Sequence, residues 1–384
     1  MMHTNNRRAF LQYGLGAGLC LARSPFAVAS ESVRAVAPSP FEEYRDEVTG
    51  AAVRKLTQGD GGDSIVYQTH PMWTAGMQRM IIHSRRGGYS APHAIDMQTG
   101  DISPVTESPV GMFVLARKSD QLYFLDSRDV KVAVVAQSLQ PSKTIATLPK
   151  WVDGLLGGMS LDADENSLYT SVMIKPDTKW GLLKLDLSSG EWMTFAPVDF
   201  KTGHVQANPF RSGEVMFCHE TGGDAPQRIW LVDFEENQPR PAYQETYNEW
   251  VTHEAWWGPD RMIFTIWPYD DEHKQKPHGI LSANVRTGEA TLHCQYPAWH
   301  TQGSPNGKWI MGDDFDRNIW LIEAKGGERR LLTQGHLGKG MKTHPHGSFT
   351  PDSKAIVFNS SRGGYDNIYC AMLPDDVSSL PLAD

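Results

Sequence analysis

Cysteine is scarce. Four occur in 384 residues, and Cys20 lies in an N-terminal stretch that reads as a leader, leaving Cys218, Cys294 and Cys370. An odd number argues against a disulfide framework. Each of the three sits in a strand-like run, where a buried free thiol is expected. No Cys-x-x-Cys occurs, which argues against a thiolate zinc site. No basic stripe runs along the chain, so nothing points to nucleic acid. No apolar run is long enough to span a membrane, which takes about 20 residues. Arg85-Arg86-Gly87-Gly88 and Arg362-Gly363-Gly364 precede no helix pattern and read as turns, not phosphate loops.

Glycine, proline and tryptophan are present in quantity, at 35, 24 and 12 residues. That usage suits many short strands joined by many turns. The first residues form a targeting segment. Asn6-Arg7-Arg8-Ala9-Phe10-Leu11 is a twin-arginine pattern, a mild apolar run follows from Tyr13 to Ala22, and Ala27-Val28-Ala29 offers a small-residue cleavage site. The reading is a signal peptide over 1–29, a tail over 30–46 and one folded domain over 47–384. It implies a periplasmic or secreted protein exported by the twin-arginine machinery. The signal carries three arginines and no acid, so its removal takes the formal net charge from −9 to near −12. An anionic substrate would need a local cationic pocket against that background.

Self-similarity is the main structural signal. Thr350 to Tyr365 aligns without a gap on Thr74 to Tyr89, at an offset of 276. Related turn-plus-strand units start near Arg117, Ala163, Asn208, Gly258 and Ser304. Seven units of about four strands, one every 40–50 residues, predict an all-β, seven-bladed β-propeller. Val53-Arg54-Lys55-Leu56-Thr57 is expected to close the ring as an outer strand of the last blade.

One position just before the turn reads His70, Met112, Gly158, His204, His253, His300 and His346 along the seven units, with spacings of 42, 46, 46, 49, 47 and 46. His253 fits within one residue, Glu254 being the strict match. The first strand of each blade lines the central channel, so these histidines should converge although they are distant in sequence. In Thr343-His344-Pro345-His346 the two histidines share a strand face. His344, His346 and His300 would give three nitrogens to a divalent ion with positions left open. Neutral histidines nearby could move protons near neutral pH. Histidines that merely bond loop backbone would explain one or two of the five. Trp256, Trp257 and Trp267 are candidates for sugar stacking, with burial between blades the default. Asp313, Asp314 and Asp316 read as blade-turn residues.

Several of these stretches resemble the oligogalacturonate lyases of polysaccharide lyase family 22. They are Thr343-His344-Pro345-His346 with Ser348-Phe349-Thr350-Pro351-Asp352; Thr252-His253-Glu254-x-Trp256; Phe217-Cys218-His219-Glu220 with Gln227-Arg228-Ile229-Trp230; and His300 ahead of its Ser-Pro-Asn-Gly turn. The resemblance covers most of the mature chain. It implies β-elimination on oligomeric uronates derived from pectin. It assigns His300, His344 and His346 to a divalent metal, usually manganese, with zinc or calcium as alternatives. It makes His253 the catalytic base and Arg228 the contact to a substrate carboxylate. His70, His204 and His219 are expected to face substrate. The family's fourth ligand is a glutamine where this chain has Met341, a poor donor to a hard ion. Other readings are a lyase for a different uronate glycan and a non-catalytic, TolB-like binding propeller of the envelope.

Overall fold

The computed structural model describes residues 39–384, except 87, 153–154, 175–178, 222–224, 247–248, 269, 339–343 and 384. The signal segment 1–29 and the fourth-ligand position, Met341, therefore lie outside the described residues. No helix among those described is long and apolar enough to cross a membrane.

The turns explain why the chain folds as it does. Thr74, Asp162, Ser304 and Thr350 each accept, at the carbonyl, a bond from the N–H three residues on, at 2.8, 3.1, 2.9 and 2.8 Å. The donors, Met77, Glu165, Gly307 and Ser353, all have positive φ. The same tight turn thus reverses the chain in four blades, and an apolar strand follows each turn. Arg79–Ser84 and Ala355–Ser360 are the two that align at the offset of 276.

Among the described residues seven antiparallel sheets result, six of four strands and one of five. Blade 1 starts at Ser64–Ile65, blade 2 at Phe113–Leu115, blade 3 at Leu155–Leu161 and blade 4 at Thr202–Ala207. Blades 5, 6 and 7 start at Trp250–Trp256, Thr301–Gly303 and Ser348–Phe349. Blade 7 ends with strands from the other end of the chain. Val53, Arg54 and Lys55 pair with Ala371, Cys370 and Tyr369, as expected from the sequence. Glu42–Arg45 then pairs outside them, so the sheet begins inside the stretch expected to be tail. Thr57 and Asp46 rivet the join. Thr57 Oγ1 donates to Asn367 Oδ1 at 3.1 Å, and Asp46 Oδ2 accepts from Thr333 Oγ1 and Gln334 N–H.

The core lies between blades. One buried cluster joins Met80, Ile82, Phe113 and Val357 across blades 7, 1 and 2. Others join blades 2 and 3 through Val114, Tyr123 and Leu168, and blades 3 and 4 through Tyr169, Leu182 and Phe217. The series continues with Met216 and Phe264, Ile263 and Ile310, and Met311 and Phe358. Each fully buried aliphatic or aromatic side chain contributes about 1.5–3 kcal/mol. Cys218 and Cys370 are buried free thiols and Cys294 is half-buried.

Candidate active site

The inner strands do not run smoothly past the channel. In blade 4 the register slips between Gly203 and Gln206, and in blade 5 between Thr252 and Ala255. Blade 7 shows the same count, with the Asn359 N–H on Pro345 and Ser348 opposite Val357. In each bulge one residue has left-handed backbone: His204 (φ 47°), His253 (φ 58°) and His346 (φ 50°). Histidine tolerates that region better than most side chains, and a bulge re-aims the residue it carries. The bulges also settle a misfit in the sequence pattern. His253, not Glu254, is the structural counterpart of His204.

Four of the five recurrent histidines gather, together with His344. Ring centroids of His300 lie 4.1 Å from His346, 4.4 Å from His253 and 5.6 Å from His344. His344 and His346 are 6.2 Å apart. His204 reaches the group through Tyr67, whose ring meets His204, His300 and His346 edge-on at 6.2, 6.1 and 5.3 Å.

His70 does not join them. Blade 1 loops out between Ile65, paired with Ile82, and Met72, whose carbonyl accepts from Ile81. That excursion carries Tyr67 to the cluster and leaves His70 elsewhere. His70 packs against Gly158, where an added Cβ would stand 3.4 Å from its Nε2. Thr69 Oγ1 holds its Nδ1 at 3.0 Å. Burial, with Arg117 and His204 nearby, pushes its pKa down to about 4. His219 also stands apart. Strand alternation turns Cys218 and Glu220 toward His204, while the His219 ring packs on Phe200 at 4.4 Å.

Arg228 is buried, and its guanidinium is paired with Glu254: Nε to Oε2 at 3.0 Å and Nη2 to Oε1 at 3.5 Å. Glu245 fixes the backbone behind it, accepting from the N–H of Arg228 and Ile229. Asp313 is no turn residue. It ends the strand Trp309–Asp313, is wholly buried, and holds His300 Nδ1 at 3.0 Å while accepting from the His346 N–H at 3.0 Å. Burial pushes its carboxyl up to about 7. Asp314 does staple a turn, through Asn318 and the Trp320 indole.

Burial lowers the pKa of His253, His300, His344 and His346, to about 3 for His346. These rings are neutral at pH 7, the form that binds a metal or accepts a proton. His300, His344 and His346 gather three neutral imidazoles, one oriented by a buried carboxylate, which is the donor type a divalent ion takes, but among the described residues the donor atoms that lie within 4.8 Å of one another are those of His204, Cys218 and Glu220. The resemblance assigns the ion to His300, His344 and His346. Arg317 Nη1 donates to His344 Nδ1 at 2.7 Å.

An aromatic wall flanks this end. Trp299 contacts His253 at 4.9 Å, His344 at 5.7 Å and Phe315 at 4.9 Å, and Trp267 contacts both Trp299 and Phe315. Phe315 is 53% exposed. Trp256 and Trp257 instead pack between blades, their indoles on the Gln206 and Ser304 carbonyls. A cavity of about 660 Å³ lies at the other end of the inner strands, among Pro71, Arg117, Phe210 and Trp257. It is lined by the turns, not by the histidine cluster. Tyr67, Glu254 and the Trp299–Phe315 wall escaped sequence reasoning, since none repeats between blades. Glu254 had a signal, as the acid beside a recurrent histidine.

The chain is 25% identical to an oligogalacturonide lyase of Pectobacterium atrosepticum, over 88% of this chain and 98% of that one. It is 24% identical to an oligogalacturonate lyase of Dickeya dadantii, over 88% and 97%. A solved oligogalacturonate lyase in complex with manganese shares its fold at a TM-score of 0.78 and 23% identity, covering 89% of this chain and 98% of that one. An oligogalacturonate lyase from Vibrio parahaemolyticus does so at 0.77 and 21%, covering 87% and 97%. No protein-family model matches the chain.

Proposed function

We propose that the chain, 25% and 24% identical to two oligogalacturonate lyases over 88% of its length, is a member of that family, a metal-dependent lyase that cleaves pectin-derived oligogalacturonides by β-elimination, leaving unsaturated uronates. The observation that carries this reading is His253 packed against His300, which in turn meets His344 and His346.

The C5 proton of a galacturonate is weakly acidic, and charge builds on the carboxylate as it leaves. A divalent ion, most simply manganese, would supply positive charge against that carboxylate. Arg228, the residue that the resemblance assigns to that carboxylate, is buried against Glu254 in this structure, so it would act on substrate only if that pair opened. His253 is the base: Thr252 Oγ1 holds its Nδ1 at 3.1 Å, which leaves Nε2 for the substrate. Trp299 and Phe315 offer faces on which a sugar ring can lie. No nucleophile and no pair of carboxylic acids is required, unlike hydrolysis.

The test is ultraviolet absorbance of the conjugated product on mixing with oligogalacturonides. Absorbance should rise, stop with chelator and return with Mn²⁺. Silence with every uronate glycan tried would favour a binding propeller instead.

We also propose periplasmic residence through the twin-arginine route. Arg7→Lys with Arg8→Lys should leave the precursor uncleaved in the cytoplasm. Normal processing of that variant would refute the route.

A further inference from the structure

β-Elimination moves two protons. One leaves C5. The other must reach the glycosidic oxygen, which otherwise departs as an alkoxide. Resting on the lyase reading above, we propose that His204 delivers that second proton.

His204 occupies in blade 4 the same left-handed bulge position that His253 occupies in blade 5. Its surroundings are opposite. Its Nδ1 lies 3.4 Å from Glu254 Oε1 and its Nε2 3.3 Å from Glu220 Oε2, while a third of the ring remains exposed. Gly203 allows this, because a Cβ there would stand 2.8 Å from Glu220 Oε2. The groups that face the ring are Glu220, Cys218 and Arg228 of its own blade, Glu254 and His253 of the next, and Tyr67 and His70 from the blade 1 excursion. Arg228 is matched by Glu254, and burial keeps the Cys218 thiol protonated, so the two groups left against the ring nitrogens are carboxylates, Glu254 and Glu220. Burial alone would lower the His204 pKa, but the bond and charge of Glu254, with Glu220, raise it above its ordinary value. Two histidines in matching backbone settings, one packed between the Trp299 and His300 rings and one flanked by two carboxylates, are placed as an acid–base pair.

The step balances. His253 Nε2 takes the C5 proton, and that C–H pair becomes the C4=C5 bond. The C4–O4 pair goes to oxygen, which receives the Nε2 proton of His204. The neutral imidazole regains a proton from water, to which a third of the ring is exposed, and His253 returns its proton to water.

One rival role is visible. Donor atoms of His204, Cys218 and Glu220 all lie within 4.8 Å of one another, and a cation there would remove the proton donor.

The test compares His204→Gln with the parent enzyme on a galacturonide oligomer and on a galacturonide bearing fluoride at C4, since fluoride leaves without protonation. On the oligomer kcat should fall about 10²–10³-fold, and on the fluoride substrate it should stay within about threefold. The alkaline limb of kcat/KM on the oligomer, where His204 loses its proton as pH rises, should disappear. Equal losses on both substrates, an unmoved alkaline limb, or a metal equivalent lost with His204 would each overturn the proposal. If the parent enzyme turns over neither substrate, the lyase reading fails first.

Discussion

Replacing His253 by alanine is expected to lower kcat about 10²–10⁴-fold, the usual worth of a positioned base, with metal content unchanged. The side chain is well placed for that one role. It is held between the Trp299 and His300 rings, centroids at 4.9 and 4.4 Å. Its Nδ1 is engaged by Thr252, and burial keeps it unprotonated at neutral pH. It is not among the three imidazoles assigned to the ion. Alanine keeps a Cβ at the same left-handed backbone, so the bulge should persist and the melting temperature should hold. Product absorbance and elemental analysis of the same preparation decide the matter. A near-normal rate removes His253 as the base, and loss of the metal makes it a ligand.

Glu254→Ala is expected to cost about 3–5 kcal/mol of stability, because it leaves a buried guanidinium without its counter-charge. Glu254 is 1% and Arg228 5% exposed, so solvent does little to screen the pair. The carboxylate also faces His204, and the variant should therefore lose activity beyond its loss of stability. Burial would raise the Glu254 pKa, but Arg228 and His204 outweigh it and hold it below the ordinary glutamate range. A depressed carboxylate contributes its stability above the unfolded-state pKa, about 4.5, and loses it as pH falls through the lower folded value. The difference between parent and variant should thus be full at pH 7 and shrink only well into acid. Denaturant melts at pH 7 and pH 3 measure both. A variant within about 1 kcal/mol of the parent at pH 7 would mean that Arg228 reaches water.

The blades were legible because one turn is spelled out in several of them, and a repeated turn forces a repeated strand reversal. The histidine ring was legible for the same reason. Its errors are instructive. His70 fits the spacing, but the excursion from Ile65 to Met72 substitutes Tyr67 at the cluster, and nothing in the local sequence distinguishes a strand from a strand that loops out. Asp313 was read as a turn acid, because a carboxylate before Asp314 and Asp316 looks solvated until its partners, His300 and the His346 amide, come from other parts of the fold. His219 matched a motif, yet alternation turns it toward Phe200. The ion pair of Arg228 with Glu254 joins two blades and leaves no periodic trace.

The ring is closed by strands more than 300 residues apart in the chain, Ala52–Lys55 against Asn367–Met372. Contacts of such separation form late, since the loop entropy must be met before they contribute. Until then the last sheet has an open edge, free to recruit a neighbouring molecule. The three imidazoles assigned to the ion lie just ahead of the first strands of blades 6 and 7, and blade 7 is complete only when strands from the two ends of the fold have joined. If those imidazoles hold an ion, a half-assembled polypeptide would have no place to keep it, and acquisition of the ion would report that the circle has been made.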